Sequence, residues 1–198
     1  MSGRGGVPRR PRPARTGTSH GYTLIELVFV AGLIAVLTAA AIPQLTAGVE
    51  RSRTVGAARY LASRLALARA QAVARSANVA LLLNAAGGTF VVGTYVDGNR
   101  NGVRTVDIGA GVDTGIGTPV RLSDLFPHVT LLLNDPAVTS TFDTSVLMSF
   151  SPLGTASSRT LYLRGGDGSQ FAVRVLGATG RTRVLRFVAS NGAWLEVL

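Results

Sequence analysis

The sequence predicts an α+β fold in which one long N-terminal helix packs on antiparallel β-sheet. Apolar and helix-favouring residues run almost without a break from about residue 22 to residue 77. From residue 78 onward, short β-type runs alternate with clusters of Gly, Asn, Asp and Pro. Such short connections suit antiparallel hairpins, so we expect antiparallel pairing.

The composition is that of one domain plus an anchor, since 198 residues suffice for a single core. All twenty basic residues are arginines, and ten acidic residues leave a net charge of +10. Five of these arginines precede Gly21; without them, fifteen arginines face ten acidic residues, and the net charge is +5. There is no cysteine, so disulfides and thiolate sites are excluded.

Residues 1–21 are predicted to be a leader. Pro, Gly and Arg dominate residues 1–20, a composition that cannot build a core and is expected to be disordered. Arginine-rich flanks stay on the cytoplasmic side of a membrane. We therefore expect the N-terminus inside the cell and the rest of the chain exported.

Residues 22–42 are predicted to be a transmembrane helix. The run has 21 residues, eleven of them Leu, Ile, Val or Phe, and about 20 suffice to cross a bilayer. Its one charge, Glu26, has two interpretations. The carboxylate lies at the interface near the helix N-terminus, or it pairs with a cation inside an assembly. Cutting between Gly21 and Tyr22 would create such a cation, an α-amine four residues before Glu26.

An ordinary secretory signal is the competing interpretation of this run. Residues 39–41 (AAA) offer a small-residue cleavage site after Ala41. Pro43, so close to that cut, and Glu26 inside the apolar run argue against it.

Residues 43–78 are predicted to continue the helix. Pro43 removes one backbone hydrogen bond and is expected to kink it. Gly48 and Gly56 are either plain helix glycines or positions where the helix softens. An apolar stripe at helical spacing indicates a face that packs on the domain: Leu61, Leu65, Ala68 and Ala72.

Residues 79–198 are predicted to form a β-rich domain. The predicted strands are 79–83, 89–96, 129–133, 146–150, 160–164, 170–176, 183–188 and 193–197. Turn-forming clusters separate them. The Gly-rich loop 97–118 is expected to be the most mobile segment.

The start of the helix carries a resemblance to a known family. Residues 21–27 (GYTLIEL), followed by an apolar helix and Pro43, resemble the processing site of type IV pilins and type II secretion pseudopilins. The resemblance implies that a prepilin peptidase cuts after Gly21 and methylates the new amine of Tyr22, where Phe is commoner. It also implies that Glu26 pairs with the N-terminus of a neighbouring subunit.

Four later segments resemble the GspH/FimT group of minor pseudopilins: residues 65–75 (LALARAQAVAR), 97–102 (DGNRNG), 150–154 (FSPLG) and 180–183 (GRTR). Gln71 stands where the group usually has Glu, and Ala74 where it often has Lys. Any salt bridge made by those two positions is therefore missing from this chain.

Residues 180–183 are the best candidate for a functional surface outside the membrane. On a strand that follows Gly180, Arg181 and Arg183 are expected to share one face, with a spacing that suits successive phosphates. Arg186 is expected on the other face. Arginines of nearby hairpins extend the predicted patch: Arg174, Arg164 and Arg159.

The resemblance to FimT-like competence pseudopilins associates this motif with double-stranded DNA during uptake. The alternative is that the arginines form solvated strand faces or contact partner subunits.

A weak metal candidate lies in the loop. Asp97, Asn99 and Asn101 match the first half of an EF-hand loop, but the twelfth position is Ile108 rather than an acid. We therefore expect a hairpin turn at Asn101 and Gly102 instead, with no metal.

Nothing in the sequence predicts an enzyme or a cofactor site. His20 belongs to the leader, and His128 is expected to be structural. The sequence shows no nucleophile, histidine and carboxylate at the spacing of a catalytic triad. It also has no phosphate-loop or dinucleotide-binding motif. Tyr162 and Trp194 are expected to be core residues.

The resulting hypothesis is a minor pilin-like structural subunit of a type II secretion pseudopilus or type IV pilus. Its expected partners are prepilin peptidase, other pilins and the inner membrane, with the C-terminal domain periplasmic or extracellular. The alternatives are a pilus-displayed DNA-binding pseudopilin and a solitary membrane-anchored domain that never polymerises.

Overall fold

The computed structural model describes residues 21–132 and 145–197. Residues 1–20 of the predicted leader lie outside the described residues, as do residue 133 and the predicted turn at 134–136. The helix α1 spans Leu24–Arg75, 52 residues, and confirms the predicted long helix. The chain divides into two compact units after Ile42, and each is described by itself.

The first unit contains the N-terminal part of α1. Its large apolar side chains are exposed, from Tyr22 through Ile42. By length and composition alone, α1 can cross a membrane. The helix begins with a cap that the sequence analysis missed, because the backbone N–H of Glu26 donates to Thr23 Oγ1 at 3.3 Å. Thr23 and Glu26 have the T-x-x-E spacing of a capping box.

The second unit begins at Pro43 and includes the rest of α1. The helix runs through Pro43 without interruption, and the kink stays a prediction. The predicted stripe is confirmed, since its four side chains are fully buried: Leu61, Leu65, Ala68 and Ala72. Gly56 has a packing role, because a Cβ there would lie 3.0 Å from Phe126 Cε1.

Two antiparallel sheets form the rest of this unit, a division that the sequence did not predict. In sheet A the order is β3-β2-β1-β6, and β4 also pairs with β2. In sheet B the order is β10-β9-β8-β7-β5. The strands are β1 Val79–Ala86, β2 Thr89–Val96, β3 Thr114–Gly115, β4 Val120–Arg121, β5 Thr130–Leu132, β6 Ser145–Phe150, β7 Arg159–Arg164, β8 Gln170–Leu176, β9 Arg181–Val188 and β10 Ala193–Glu196.

The eight predicted strands are all present: β2 and β8 have the predicted ends, and the ends of the other six are shifted. The elements that were not predicted are very short: β3, β4, the helix α2 (Thr105–Gly109) and the helix α3 (Leu122–Leu125). Strands of two residues show no alternation and short helices no full period, so the sequence carries no signal for them.

One apolar core joins the helix stripe to one face of each sheet. In sheet A, Leu81 pairs in register with Met148, and both are buried. In sheet B, Leu161 pairs with Val173, also both buried. We call these core-facing sides the inner faces. Burying a side chain of this size stabilises the fold by roughly 1.5–3 kcal/mol.

Candidate functional site

The turn between β8 and β9 positions the arginines of residues 180–183. It is closed by a hydrogen bond from the N–H of Gly180 to the carbonyl of Leu176 at 2.7 Å. Gly180 has φ +60°, in the left-handed region that favours glycine. A Cβ at Gly180 would also overlap the carbonyl oxygen of Gly154. Both the backbone conformation and the close approach therefore require glycine here.

Arg69 of α1 joins this turn to a second turn of the domain. Its Nε donates to the carbonyl of Gly154 at 3.0 Å, and its Cδ would lie 2.9 Å from a Cβ at Gly180. Three of the four segments that resemble GspH/FimT pseudopilins thus meet at one guanidinium. Sequence analysis quoted all three segments but gave no signal that they touch.

Arg174 and Arg183 lie side by side on the outer face of sheet B. The register pairs Arg174 of β8 with Arg183 of β9, and paired residues of an antiparallel ladder share a face. Strand alternation adds Arg164 of β7 to this face, as predicted. Arg159 pairs with Val175 and lies on the inner side, so its predicted place in the patch is wrong.

The two arginines differ in their surroundings. Arg183 Nη1 forms an ion pair with Glu196 Oε2 of β10 at 3.0 Å, and both side chains are about two-fifths exposed, at 39% and 42%. Arg174 Nε donates to Thr160 Oγ1 at 3.3 Å. An exposed pair contributes little stability, but it offsets the charge that Arg183 presents to an anion.

Arg186 lies on the inner side of β9, as alternation predicts. With Arg51 of α1, it lines a groove of about 160 Å³ that also contacts Arg59 and Val184. The four arginines proposed as one DNA contact (Arg174, Arg181, Arg183 and Arg186) are therefore divided between two faces of the sheet.

Arg181 borders a larger groove between α1 and the start of β9, with a volume of about 350 Å³. We call it the arginine groove. Its eight lining residues include three arginines and no acid: Arg59, Ala62, Ala66, Arg69, Gly180, Arg181, Thr182 and Val184. Sequence analysis missed it because Arg59 and Arg181 are brought together only by the tertiary fold.

An aromatic cluster occupies the outer face of sheet B. The Tyr162 and Trp194 ring centroids lie 5.4 Å apart, and those of Phe187 and Trp194 5.2 Å apart. All three side chains are half-buried. The expectation that Tyr162 and Trp194 belong to the core is wrong, since their register puts them on the face opposite it.

In the weak metal candidate, the carboxylate of Asp97 is occupied by hydrogen bonds from the protein itself. Asp97 Oδ1 accepts hydrogen bonds from the N–H groups of Asn99 and Arg100, at 3.2 and 2.7 Å. Its Oδ2 accepts from the Gly102 N–H and the Asn78 side chain, both at 2.8 Å. Burial raises the pKa of Asp97, but these donors outweigh it and hold the pKa below its ordinary value.

Asp113 closes the same loop from its other end. Its two carboxylate oxygens accept from the N–H groups of Gly98 and Arg104, at 3.0 and 2.9 Å. The connection from β2 to β3 thus spans residues 97–113, and the predicted hairpin turn at Asn101 and Gly102 is wrong. Backbone donors already occupy the oxygens that a cation would need. Within residues 21–132 and 145–197, no three His, Asp or Glu side chains are grouped to hold a metal.

His128 contacts the helix rather than a reactive group. Its Nδ1 lies 3.0 Å from Glu50 Oε1, which also pairs with Arg53 Nη1 at 2.6 Å. The contact ties the segment before β5 to α1, in keeping with a structural role.

Three of the four predicted processing and assembly residues lie at the start of α1. Gly21 and Tyr22 precede the helix and are exposed, and Glu26 lies in its first turn. Pro43 lies within α1.

Comparison with known proteins agrees with this architecture. Residues 57–180 match the family model of type II transport protein GspH. No curated protein and no solved structure matches the chain. The matched segment covers more than half of the chain. It contains the helix stripe, all of sheet A and strands β5, β7 and β8 of sheet B, and it ends at Gly180, before β9 and β10. The chain therefore belongs to the GspH family, the pilin-like pseudopilins of type II transport.

Proposed function

We propose that this chain is a minor structural subunit of a type II secretion pseudopilus, assembled through its N-terminal helix. The observation that carries the proposal is the combination of a GspH domain with an apolar helix whose first turn holds Glu26. In the filament, apolar helices pack together and the β-rich domains face outward. The subunit works by binding its neighbours and catalyses no reaction.

The proposed processing divides the chain at Gly21. Prepilin peptidase removes residues 1–21 and methylates Tyr22. Residues 22–42 then anchor the subunit in the inner membrane, residues 43–78 continue the helix, and residues 79–198 form the periplasmic domain. The arginines before Gly21 support a cytoplasmic N-terminus. The exposed, non-helical position of Gly21 and Tyr22 supports access by a peptidase.

Intact-mass measurement of the mature chain tests the processing. A chain that begins at methylated Tyr22 is expected. A chain that begins at Ile42 would instead identify a secretory signal, and the membrane helix would be lost.

Charge reversal at Glu26 tests assembly. In the apolar filament core, Glu26 pairs with the α-amine of a neighbouring Tyr22, and an unpaired charge in that environment is costly. Glu26→Lys is expected to abolish incorporation into filaments pelleted after shearing. Asp124→Lys reverses an exposed charge on α3 and serves as the control. Normal incorporation and secretion with Glu26→Lys would overturn assembly through Glu26. Absence of the unmodified chain from the filaments would instead favour a solitary anchored domain.

A second candidate function, display of a DNA-binding surface on a type IV pilus, has its own support. The register brings Arg174 beside Arg183, with Arg164 on the same face, and rows of arginine suit a phosphate backbone. Residues 180–183 remain the proposed contact. The ion pair of Arg183 with Glu196 weighs against this function.

A gel shift with a DNA duplex at several salt concentrations tests it. Joint replacement of Arg181 and Arg183 by Ala is expected to weaken binding and to make its salt dependence shallower. The same affinity and salt slope as the unmodified protein would remove this candidate. Joint replacement of Arg75 and Arg104 by Ala, at two exposed positions, removes the same two charges and is the control.

A further inference from the structure

We propose that the arginine groove is a docking site for an extended, acidic segment of another filament subunit, which adds as a strand to β9. The inference rests on the proposed function, since it names how this subunit recognises a neighbour. It concerns the groove between β9 and the part of α1 that follows Pro43, and it does not involve the apolar residues 22–42.

The first observation is an unused strand edge. β10 pairs with Leu185–Val188 of β9, and the N–H of Val197 reaches the carbonyl of Val184 at 2.9 Å. Within the described residues, nothing pairs with residues 181–183 on that edge. Because backbone groups alternate along a strand, Thr182 directs its N–H and C=O to the same side as Val184. These two groups are therefore available to an added strand.

The second observation is an orphaned polar atom beside that edge. Thr182 Oγ1 is buried and has no hydrogen-bond partner within the described part of the chain. A buried hydroxyl without a partner costs free energy, and Thr182 lines the arginine groove. An acceptor group entering the groove would satisfy this hydroxyl.

The third observation is charge. Arg59 and Arg181 line the groove, and its eight lining residues include no acid to neutralise them. Arg69, the third arginine, is already bonded to Gly154. Guanidinium groups form strong paired hydrogen bonds with carboxylates, so an Asp or Glu side chain is the complementary group.

The groove also has an apolar floor, which helps to choose between classes of partner. Ala62 and Ala66 of α1 and Val184 of β9 form it. A peptide strand uses all three features: its backbone pairs with Thr182, its acidic side chains meet Arg59 and Arg181, and its apolar side chains cover the floor. A DNA backbone would use the arginines alone.

The test uses the full chain in detergent and a fluorescent peptide of alternating Val and Glu residues. The peptide is expected to bind, and exchanging its Glu residues for Gln should weaken binding about tenfold or more. Joint Arg59→Gln and Arg181→Gln substitution should weaken it by about the same factor. Joint Arg75→Gln and Arg174→Gln substitution, at two exposed positions that do not line the groove, removes the same two charges. It is the matched control and should leave the affinity within about twofold.

Two measurements on the unmodified protein keep the test independent of mutant folding. Peptide binding should slow hydrogen exchange at the Thr182 amide, because that N–H becomes bonded to the added strand. N-methylation of the peptide backbone at alternate residues should abolish binding, since it removes the donors that a strand edge requires.

Three outcomes would overturn the inference. They are an affinity unaffected by the double substitution, unchanged exchange at Thr182, or competition by a DNA duplex that depends on Arg59 and Arg181. The last would identify a nucleic-acid groove instead. None of these outcomes affects assembly through Glu26, so failure here is distinguishable from failure of the proposed function.

Discussion

Arg69 Nε donates a hydrogen bond to the carbonyl oxygen of Gly154 at 3.0 Å, across 85 residues of sequence. The contact fixes α1 against the turn that follows β6, and Gly180 packs on the same guanidinium stem. The position of the Gly180 turn, and therefore of Arg181, depends on a residue of the helix. The stability of this arrangement can be measured through Trp194, the single tryptophan.

Replacing Arg69 should loosen that contact. Arg69→Met keeps the apolar stem but removes the donor, and we expect the free energy of unfolding to fall by about 1–2 kcal/mol. Urea unfolding of the full chain in detergent, followed by Trp194 fluorescence, measures the change. Arg75→Met, at the exposed end of the same helix, should cost less than half as much. Equal costs would mean that the bond to Gly154 adds nothing.

A glycine can be required by its backbone conformation or by a close neighbour, and Gly180 and Gly192 allow the two effects to be measured separately. Both have positive φ, +60° and +62°, but a Cβ at Gly192 meets nothing within 4 Å whereas one at Gly180 overlaps Gly154. Gly192→Ala should cost about 1 kcal/mol from backbone conformation. Gly180→Ala should cost about 3 kcal/mol because overpacking adds to it. The same urea unfolding compares the two, and equal losses would contradict the close approach.

Gly56 and Phe126 should be energetically coupled. Ala is a better helix former than Gly, yet a Cβ at Gly56 would lie 3.0 Å from Phe126 Cε1. We expect Gly56→Ala to lower the free energy of unfolding by about 1 kcal/mol. In a double-mutant cycle, the same change should be neutral or stabilising when Phe126 is Leu. Additive effects would show that the ring does not restrict position 56.

Asp97 should make the domain sensitive to acid. Its folded pKa is lowered, because hydrogen bonds to the carboxylate outweigh burial. The stabilisation is therefore present above the unfolded pKa of 3.8 and is lost as the pH falls through the lower folded value.

Asp97→Asn should lower the free energy of unfolding at neutral pH by about 1–3 kcal/mol. It should also flatten the decline of stability below about pH 4. Unfolding measured at a series of pH values checks both effects. Asp124→Asn, at an exposed position, is the control and should keep the wild-type slope. A wild-type slope in Asp97→Asn would contradict the role of Asp97.

Local patterns predicted the elements well. The stripe of Leu61 and Leu65 predicted the packed face of α1, and alternation or β-branched runs predicted eight strands. These signals reside in neighbouring residues, where periodicity acts. Two-residue strands such as Thr114–Gly115 are too short to have a period.

Long-range pairing could not be predicted in the same way. The division into two sheets depends on β6 returning to β1, where Phe150 pairs with Val79. The arginine groove depends on Arg59 and Arg181 meeting across the domain.

The Asp97 loop suggested an ion site because its spacing resembles one, but its carboxylate oxygens accept hydrogen bonds from backbone N–H groups instead. The T-x-x-E spacing of Thr23 and Glu26 is a sequence signal for the helix N-terminus, and it could have predicted the cap.

The return of β6 to β1 also constrains how the protein is made. As the chain emerges from the ribosome, β1 and β2 are completed long before Ser145 is synthesised. Until then, β1 presents an open edge from Val79 to Asn84, the residues that β6 later covers. Several of these side chains are apolar, and an unpaired apolar edge is prone to aggregation. We therefore expect the nascent chain to be most prone to aggregation after β1 has been made and before β6 can cover it.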